Sequence, residues 1–152
     1  IMLLEKIYAE TMNNGGYSVN ILNNQIPESG FMVSLPKKEL KVSVERFNPQ
    51  ILRNYINSTP ELTNPKMYLG TWIENDEVYI DASENIADKE TAIRKGIAQG
   101  QLAIYDVVNQ TVINLPSPQK SGTLHQQQTY LNMKIRELLN HTKTERILQY
   151  GF

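Results

Sequence analysis

Apolar residues follow two different spacings along the chain, and the first of them predicts helices. Apolar positions three and four residues apart, which fall on one side of a helix, occur in residues 2–12, 49–58 and 88–99. Asn48 and Asp88 stand at the start of the second and third segments, and both residue types are favoured at helix N-termini. This spacing therefore predicts three helices before residue 100.

The second spacing, in which apolar and polar residues alternate, predicts strands. Residues 17–22 and 31–35 are joined by a segment rich in Asn, Pro and Gly, and we expect them to form a loose hairpin. Residues 40–47, 102–108 and 111–115 show further strand patterns. With the helices, these strands predict an α+β fold, a mostly antiparallel mixed sheet of about five to seven strands packed with three to four helices.

Residues 67–86 predict a hairpin with a defined register. A two-residue turn at Asn75 and Asp76 pairs Trp72 with Tyr79 directly across the two strands. One face of this hairpin is apolar and is expected to face the core. Its residues are Leu69, Ile73, Val78, Ile80 and Ala82.

The other face of the hairpin carries an aromatic cluster. Tyr68, Trp72 and Tyr79 lie on it, with Asp81 at its edge and Gly70 opposite Asp81. Such rings can stack on bases or sugars or bind another protein. The alternative is that a helix covers them.

The chain ends in a long amphipathic helix, from Thr123 to about His141, after a linker-like segment at residues 116–122. We expect a core of residues 1–115 and a helical segment of residues 123–152 within one structural domain. The apolar stripe can be buried on the parent sheet, in a second copy or in a partner. The apolar stripe is wider than the contact between two helices requires, which favours its burial within the protein's own assembly as a homodimer.

Composition narrows the classes of function. The net charge is −1, so no overall charge favours nucleic acid or an anionic membrane. Cysteine is absent, which excludes disulfides, thiolate catalysis and cysteine-ligated metals. Glycines are scattered without a phosphate-binding motif. We expect a cytoplasmic protein that has no cofactor, no membrane association and no direct contact with nucleic acid.

Acidic residues are concentrated in one segment. Residues 74–90 have a net charge of −6, because they include seven acidic residues and one basic residue, Lys89. These residues are Glu74, Asp76, Glu77, Asp81, Glu84, Asp88 and Glu90. The band favours binding to a protein with a basic surface, and the alternative is an ordinary solvated surface.

Three residues are candidates for catalysis. Asp81 and Asp106 end two similar strands, and neighbouring strands would let their carboxylates share a proton or a cation. The alternative is that each carboxylate caps a turn. His125, near Lys120, is the best candidate for nuclease-type chemistry, whereas His141 suits the C-terminal end of the helix.

Several blocks of the sequence resemble segments of other proteins. SGFMVSLPKKE (29–39), YLGTWIENDEVYIDASENI (68–86) and GQLAIYD (100–106) occur in an order similar to that in uncharacterised accessory proteins of bacteriophages and mobile genetic elements. The similarity covers roughly residues 15–106. It implies a phage or mobile-element origin and supplies no catalytic residues.

These patterns favour a non-enzymatic interaction protein over an enzyme. The leading hypothesis is an accessory protein that binds another protein in the cytoplasm of the host bacterial cell and inhibits a host defence protein. The alternative is a small effector enzyme, a nuclease or transferase-type toxin, that uses His125 or the Asp81 and Asp106 pair.

Overall fold

The structure is a computed structural model that describes residues 2–150, with side chains through residue 140. Along the described chain the elements are α1 (Leu3–Asn14), β1 (Gly16–Val19), β2 (Phe31–Ser34), β3 (Leu40–Ser43), α2 (Pro49–Asn57), a short 3-10 helix (Pro60–Thr63), β4 (Met67–Glu74), β5 (Glu77–Ile86), α3 (Lys89–Ala98), β6 (Ala103–Asp106), β7 (Thr111–Asn114) and α4 (Leu124–Tyr150).

Side-chain caps begin three of the helices. The Asn48 carboxamide accepts a hydrogen bond from the Ile51 N–H at 3.0 Å. Asp88 accepts from the Thr91 N–H at 2.9 Å. Both caps satisfy backbone N–H groups that have no partner within the helix, and both confirm the predicted helix starts. Thr123 and Gln126 form a reciprocal capping box at the start of α4.

The strands form one seven-stranded sheet in the order β1-β4-β5-β2-β6-β7, and β3 pairs with the first half of β5. Every pairing among the described strands is antiparallel. The predicted α+β class is therefore confirmed, with no parallel pair in this sheet.

The predicted hairpin between residues 17–22 and 31–35 is wrong. β1 pairs with β4, and β2 lies between β5 and β6. The strand ends at Val19 because Asn20 turns the chain: its N–H donates to the Gln25 carbonyl and its side chain donates to the Pro65 carbonyl. Strand patterns indicated both strands correctly, but pairing depended on contacts remote in sequence.

All four helices pack on the same face of the sheet. α1 and α2 cover buried β4 and β5 residues, and α3 and α4 cover buried residues of β2, β6 and β7. Both pairs of helices lie on one face of the sheet. Val33, under α3, pairs with Glu84, so these two residues are on the same face. Glu84 is two residues from Ala82 on β5, so Ala82 is on that face too. The predicted core face is confirmed. Leu69, Val78, Ile80 and Ala82 are fully buried, and Ile73 is partly buried against them.

α4 packs on its own chain. Ile135 is buried, and Leu131, Leu138 and Leu139 pack against the cluster formed by α3 and the β2, β6 and β7 strands. This packing accounts for the apolar stripe within one chain, so a second copy is not required to bury it. Within the described residues, no helix has the length and apolar character that crossing a membrane requires.

Candidate functional site

The sheet has a second face, opposite the helices, which we call the open face. In the hairpin it consists of Tyr68, Gly70 and Trp72 from β4 and Tyr79, Asp81 and Ser83 from β5. The three aromatic residues are half-buried. The helices pack on the opposite face, so the alternative in which a helix covers the aromatic cluster is wrong for the described chain.

Trp72 and Tyr79 form a stacked pair on this face. Their ring centroids are 5.2 Å apart, and the ring planes differ by 5°. The pair exists because the turn places both φ angles in the left-handed region, 53° at Asn75 and 61° at Asp76, as a tight hairpin requires. The predicted register is confirmed at every position from Glu74–Glu77 to Gly70–Asp81.

Asp81 lies beside this stack with its carboxylate buried. The side chain is 5% exposed. The hydroxyl groups of Ser34 and Ser83 donate to its Oδ2 atom at 2.5 and 3.2 Å. Burial raises the pKa of Asp81 to about 6 because the charged form loses hydration, although the two serine hydroxyl groups act in the opposite direction.

Gly70 makes room for this carboxylate. A Cβ atom at Gly70 would lie 2.6 Å from Asp81 Oδ1 and 3.7 Å from the Ser18 hydroxyl oxygen. Asp81 Oδ1 receives no hydrogen bond from the part of the chain that is described. The sequence showed Gly70 opposite Asp81, but it did not reveal this close approach or the serine from β2.

Asp106 belongs to a different environment. It accepts hydrogen bonds from the Asn109 N–H at 3.2 Å and from the Asn109 side chain at 2.7 Å, so it caps the turn after β6. Its strand partner is Phe31, which faces the helices, and β2 separates β5 from β6. The structure therefore does not bring Asp81 and Asp106 together, and the proposed pair is wrong.

His125 is also remote from the open face. It is exposed in the first turn of α4, and the neighbouring Thr123 hydroxyl group is used in the capping box. His141 lies outside the residues whose side chains are described. No group of three or more His, Asp or Glu residues in the described region has a geometry that could hold a metal ion.

The acidic band divides into paired and unpaired residues. Glu84 lies on the helix face and forms an ion pair with Lys95, Glu77 pairs with Lys41, and Glu90 pairs with Arg94. Glu84 therefore lies on the opposite side of the sheet from Glu74, and a role of the acidic band in binding stays a prediction. Glu74 and Asp76 at the tip are exposed and form no ion pair with any described residue.

A shallow groove adjoins the open face at its β6 side. Its lining includes Ile26, Pro27, Met32, Tyr105 and Val108. Ile26, Tyr105 and Val108 are exposed. A second group of apolar residues thus lies at this side of the sheet, which sequence reasoning missed because these residues come from separate segments.

Comparison with known proteins gave no match to a family model, to a curated protein or to a solved structure. The geometry of the open face is therefore what bears on function.

Proposed function

We propose that the protein is an interaction module that binds another protein through the open face. The observation that carries this proposal is the stacked Trp72–Tyr79 pair, half-buried on a sheet face that no described helix covers. Tyr and Trp are enriched at protein interfaces because they bury a large area with little conformational entropy to lose. Tyr105 and Val112 add two exposed apolar residues to the same face, on β6 and β7.

The charge at the hairpin tip supports a partner with a basic surface. Glu74 and Asp76 lie next to the aromatic stack and pair with no cation among the described side chains, whereas the nearby Lys41 is paired with Glu77. A face that binds nucleic acid would need excess positive charge to neutralise phosphates. A phage or mobile-element origin and inhibition of a host defence protein in the cytoplasm remain predictions that fit such a partner.

The test begins with a partner captured from a host bacterial lysate, followed by affinity measurements on purified components. Trp72→Ala should weaken binding by about tenfold or more, since truncating a central aromatic residue commonly costs over 1 kcal/mol. The matched control is Met133→Ala, because Met133 is an exposed apolar residue on α4, on the helix side. Equal affinity of the Trp72 variant and the wild type would contradict the proposal.

The unpaired acidic tip should act mainly on the association rate. In low salt, the double variant Glu74→Gln and Asp76→Asn should bind the partner more slowly and with weaker salt dependence, because it lacks two steering charges. Glu5→Gln with Glu137→Gln removes two exposed acidic groups from the helix side and serves as the control. Stopped-flow rates that fall equally in both double variants would contradict a role of the tip.

A proton-transfer enzyme that uses Asp81 is the second candidate. A carboxyl group with a pKa of about 6 can exchange protons near neutral pH. Of the three predicted catalytic residues, Asp81 lies on the open face and the other two lie elsewhere. If the protein is such an enzyme, Asp81→Asn should lower its turnover by orders of magnitude. Trp72→Ala should keep the turnover if the stacked pair plays no part in substrate binding.

A further inference from the structure

We propose that the open face binds an arginine side chain of its partner, with the guanidinium group on Asp81 and against the aromatic rings beside it. This inference rests on the proposed function, because it names the chemical group by which the partner is recognised.

The first support is the free oxygen of a buried carboxylate. Asp81 uses Oδ2 for the hydroxyl groups of Ser34 and Ser83, and its Oδ1 atom lies over Gly70 without a donor from the described chain. Oδ1 is not among the fully buried atoms that lack a partner, so it keeps contact with solvent and an incoming N–H group can donate to it. Gly70 gives this oxygen room, because a Cβ atom at this position would lie 2.6 Å from Asp81 Oδ1.

The second support is the arrangement of rings around this carboxylate. Along β4, Tyr68 and Trp72 lie on either side of Gly70 on the open face. Along β5, Tyr79 is next to Asp81 on the same face and stacks on Trp72 with nearly parallel planes. A guanidinium group that reaches Asp81 between these residues would therefore also contact an aromatic face, which attracts cations.

The third support is the local charge. Asp81 forms no ion pair with any described residue. The neighbouring Glu39 adds negative charge and, together with burial, raises the pKa of Asp81. A cation from a partner would offset both effects, since an opposite charge favours the ionised form.

Arginine fits these features better than lysine. The guanidinium group is planar, so it can stack on an aromatic ring while one of its N–H groups donates to Asp81 Oδ1. An ammonium group is compact and more strongly hydrated, so its transfer to a nearly closed site costs more. The geometry therefore points to arginine as the specific partner residue.

The probe is N-acetyl-arginine methylamide, titrated into the full chain at pH 8, where Asp81 is ionised. Trp72 is the chain's single tryptophan, so its fluorescence reports on this face alone. A lone side chain should bind with a Kd on the order of millimolar. The matching citrulline compound, which is isosteric and neutral, should bind at least about tenfold more weakly, because it lacks the charge. The lysine compound should fall between the two.

Three variants make the test specific. Asp81→Asn should lose arginine binding, whereas Glu5→Gln, which removes an exposed acidic group on the helix side, should keep it. Gly70→Ala provides a second disruption that retains the carboxylate but places a methyl group against Oδ1. Circular dichroism of each variant confirms folding before titration.

The inference is overturned if the arginine and citrulline compounds bind equally, if the lysine compound binds as tightly as arginine, or if Asp81→Asn titrates like the wild type. These outcomes leave the proposed function intact when Trp72→Ala still weakens binding of the protein partner. The proposed function fails separately if Trp72→Ala binds that partner like the wild type.

Discussion

The two faces of β5 differ in what their side chains contribute. Toward the helices, Val78, Ile80 and Ala82 have no exposed surface and lie in the main core. Toward the open face, Tyr79 is half-buried, and Asp81 is buried without an ion pair among the described residues. One side of the strand therefore stabilises the fold. The other side carries groups whose burial costs stability, which is typical of surfaces kept for function.

The sharpest contrast should come from apolar truncation on the two faces. Ile80→Ala should lower the free energy of unfolding by about 3–4 kcal/mol, because it leaves a cavity in a fully buried site. Val112→Ala on the open face should change it by less than about 0.5 kcal/mol, since Val112 is 62% exposed. Urea denaturation measures both values. Similar losses for the two variants would contradict the assignment of one core face.

Asp81 should destabilise the protein at neutral pH. Its pKa is raised to about 6 in the folded state, so the folded protein holds the proton more tightly than the unfolded chain does. This tighter proton binding stabilises the folded state fully below about pH 4, and the stabilisation is lost as the pH rises from about 4 through about 6. Asp81→Asn, which resembles the protonated form, should therefore raise unfolding free energy by on the order of 2–3 kcal/mol at pH 8.

At pH 4, Asp81→Asn should have the same free energy of unfolding as the wild type, because Asp81 is then protonated in the folded wild type. Ser34→Ala sharpens the comparison because the Ser34 hydroxyl group stabilises the ionised carboxylate. That variant should lose more stability at pH 8 than at pH 4. A difference between Asp81→Asn and the wild type that does not change with pH would refute the account of Asp81.

The smallest effect concerns the stacked pair. A double-mutant cycle with Trp72→Ala and Tyr79→Ala should give a coupling energy of about 0.5–1 kcal/mol, as is usual for aromatic pairs. Tyr68 and Tyr79 are not paired in the sheet, so the corresponding cycle should give a value near zero. Equal coupling in both cycles would mean that the pairing itself contributes nothing.

The sequence predicted local structure better than long-range structure. The register of β4 and β5 was predictable because the Asn75-Asp76 turn and the alternation of side chains lie within twenty residues. The pairing of β1 with β4 was not, because about fifty residues separate the two strands and no local signal connects them. Asn48 and Asp88 were recognisable as caps because a cap acts on backbone groups three residues away.

The candidate site was predictable only in part. The alternation of side chains placed Trp72, Tyr79 and Asp81 on one face, as found. The burial of Asp81 depends on Ser34, which is 47 residues away in the chain, so it could not be read from the hairpin. The separation of Asp81 from Asp106 depends on the strand order, in which β2 lies between them.

We expect the open face, and not the helix side, to meet the partner. Hydroxyl-radical footprinting of the free protein and of the complex tests it most directly, because the two sides carry reactive residues that serve as mutual controls. If the open face meets the partner, Trp72 and Tyr79 lose reactivity in the complex while Met133 on α4 keeps its reactivity. Protection of Met133 with unchanged oxidation of Trp72 would place the partner on the helix side instead.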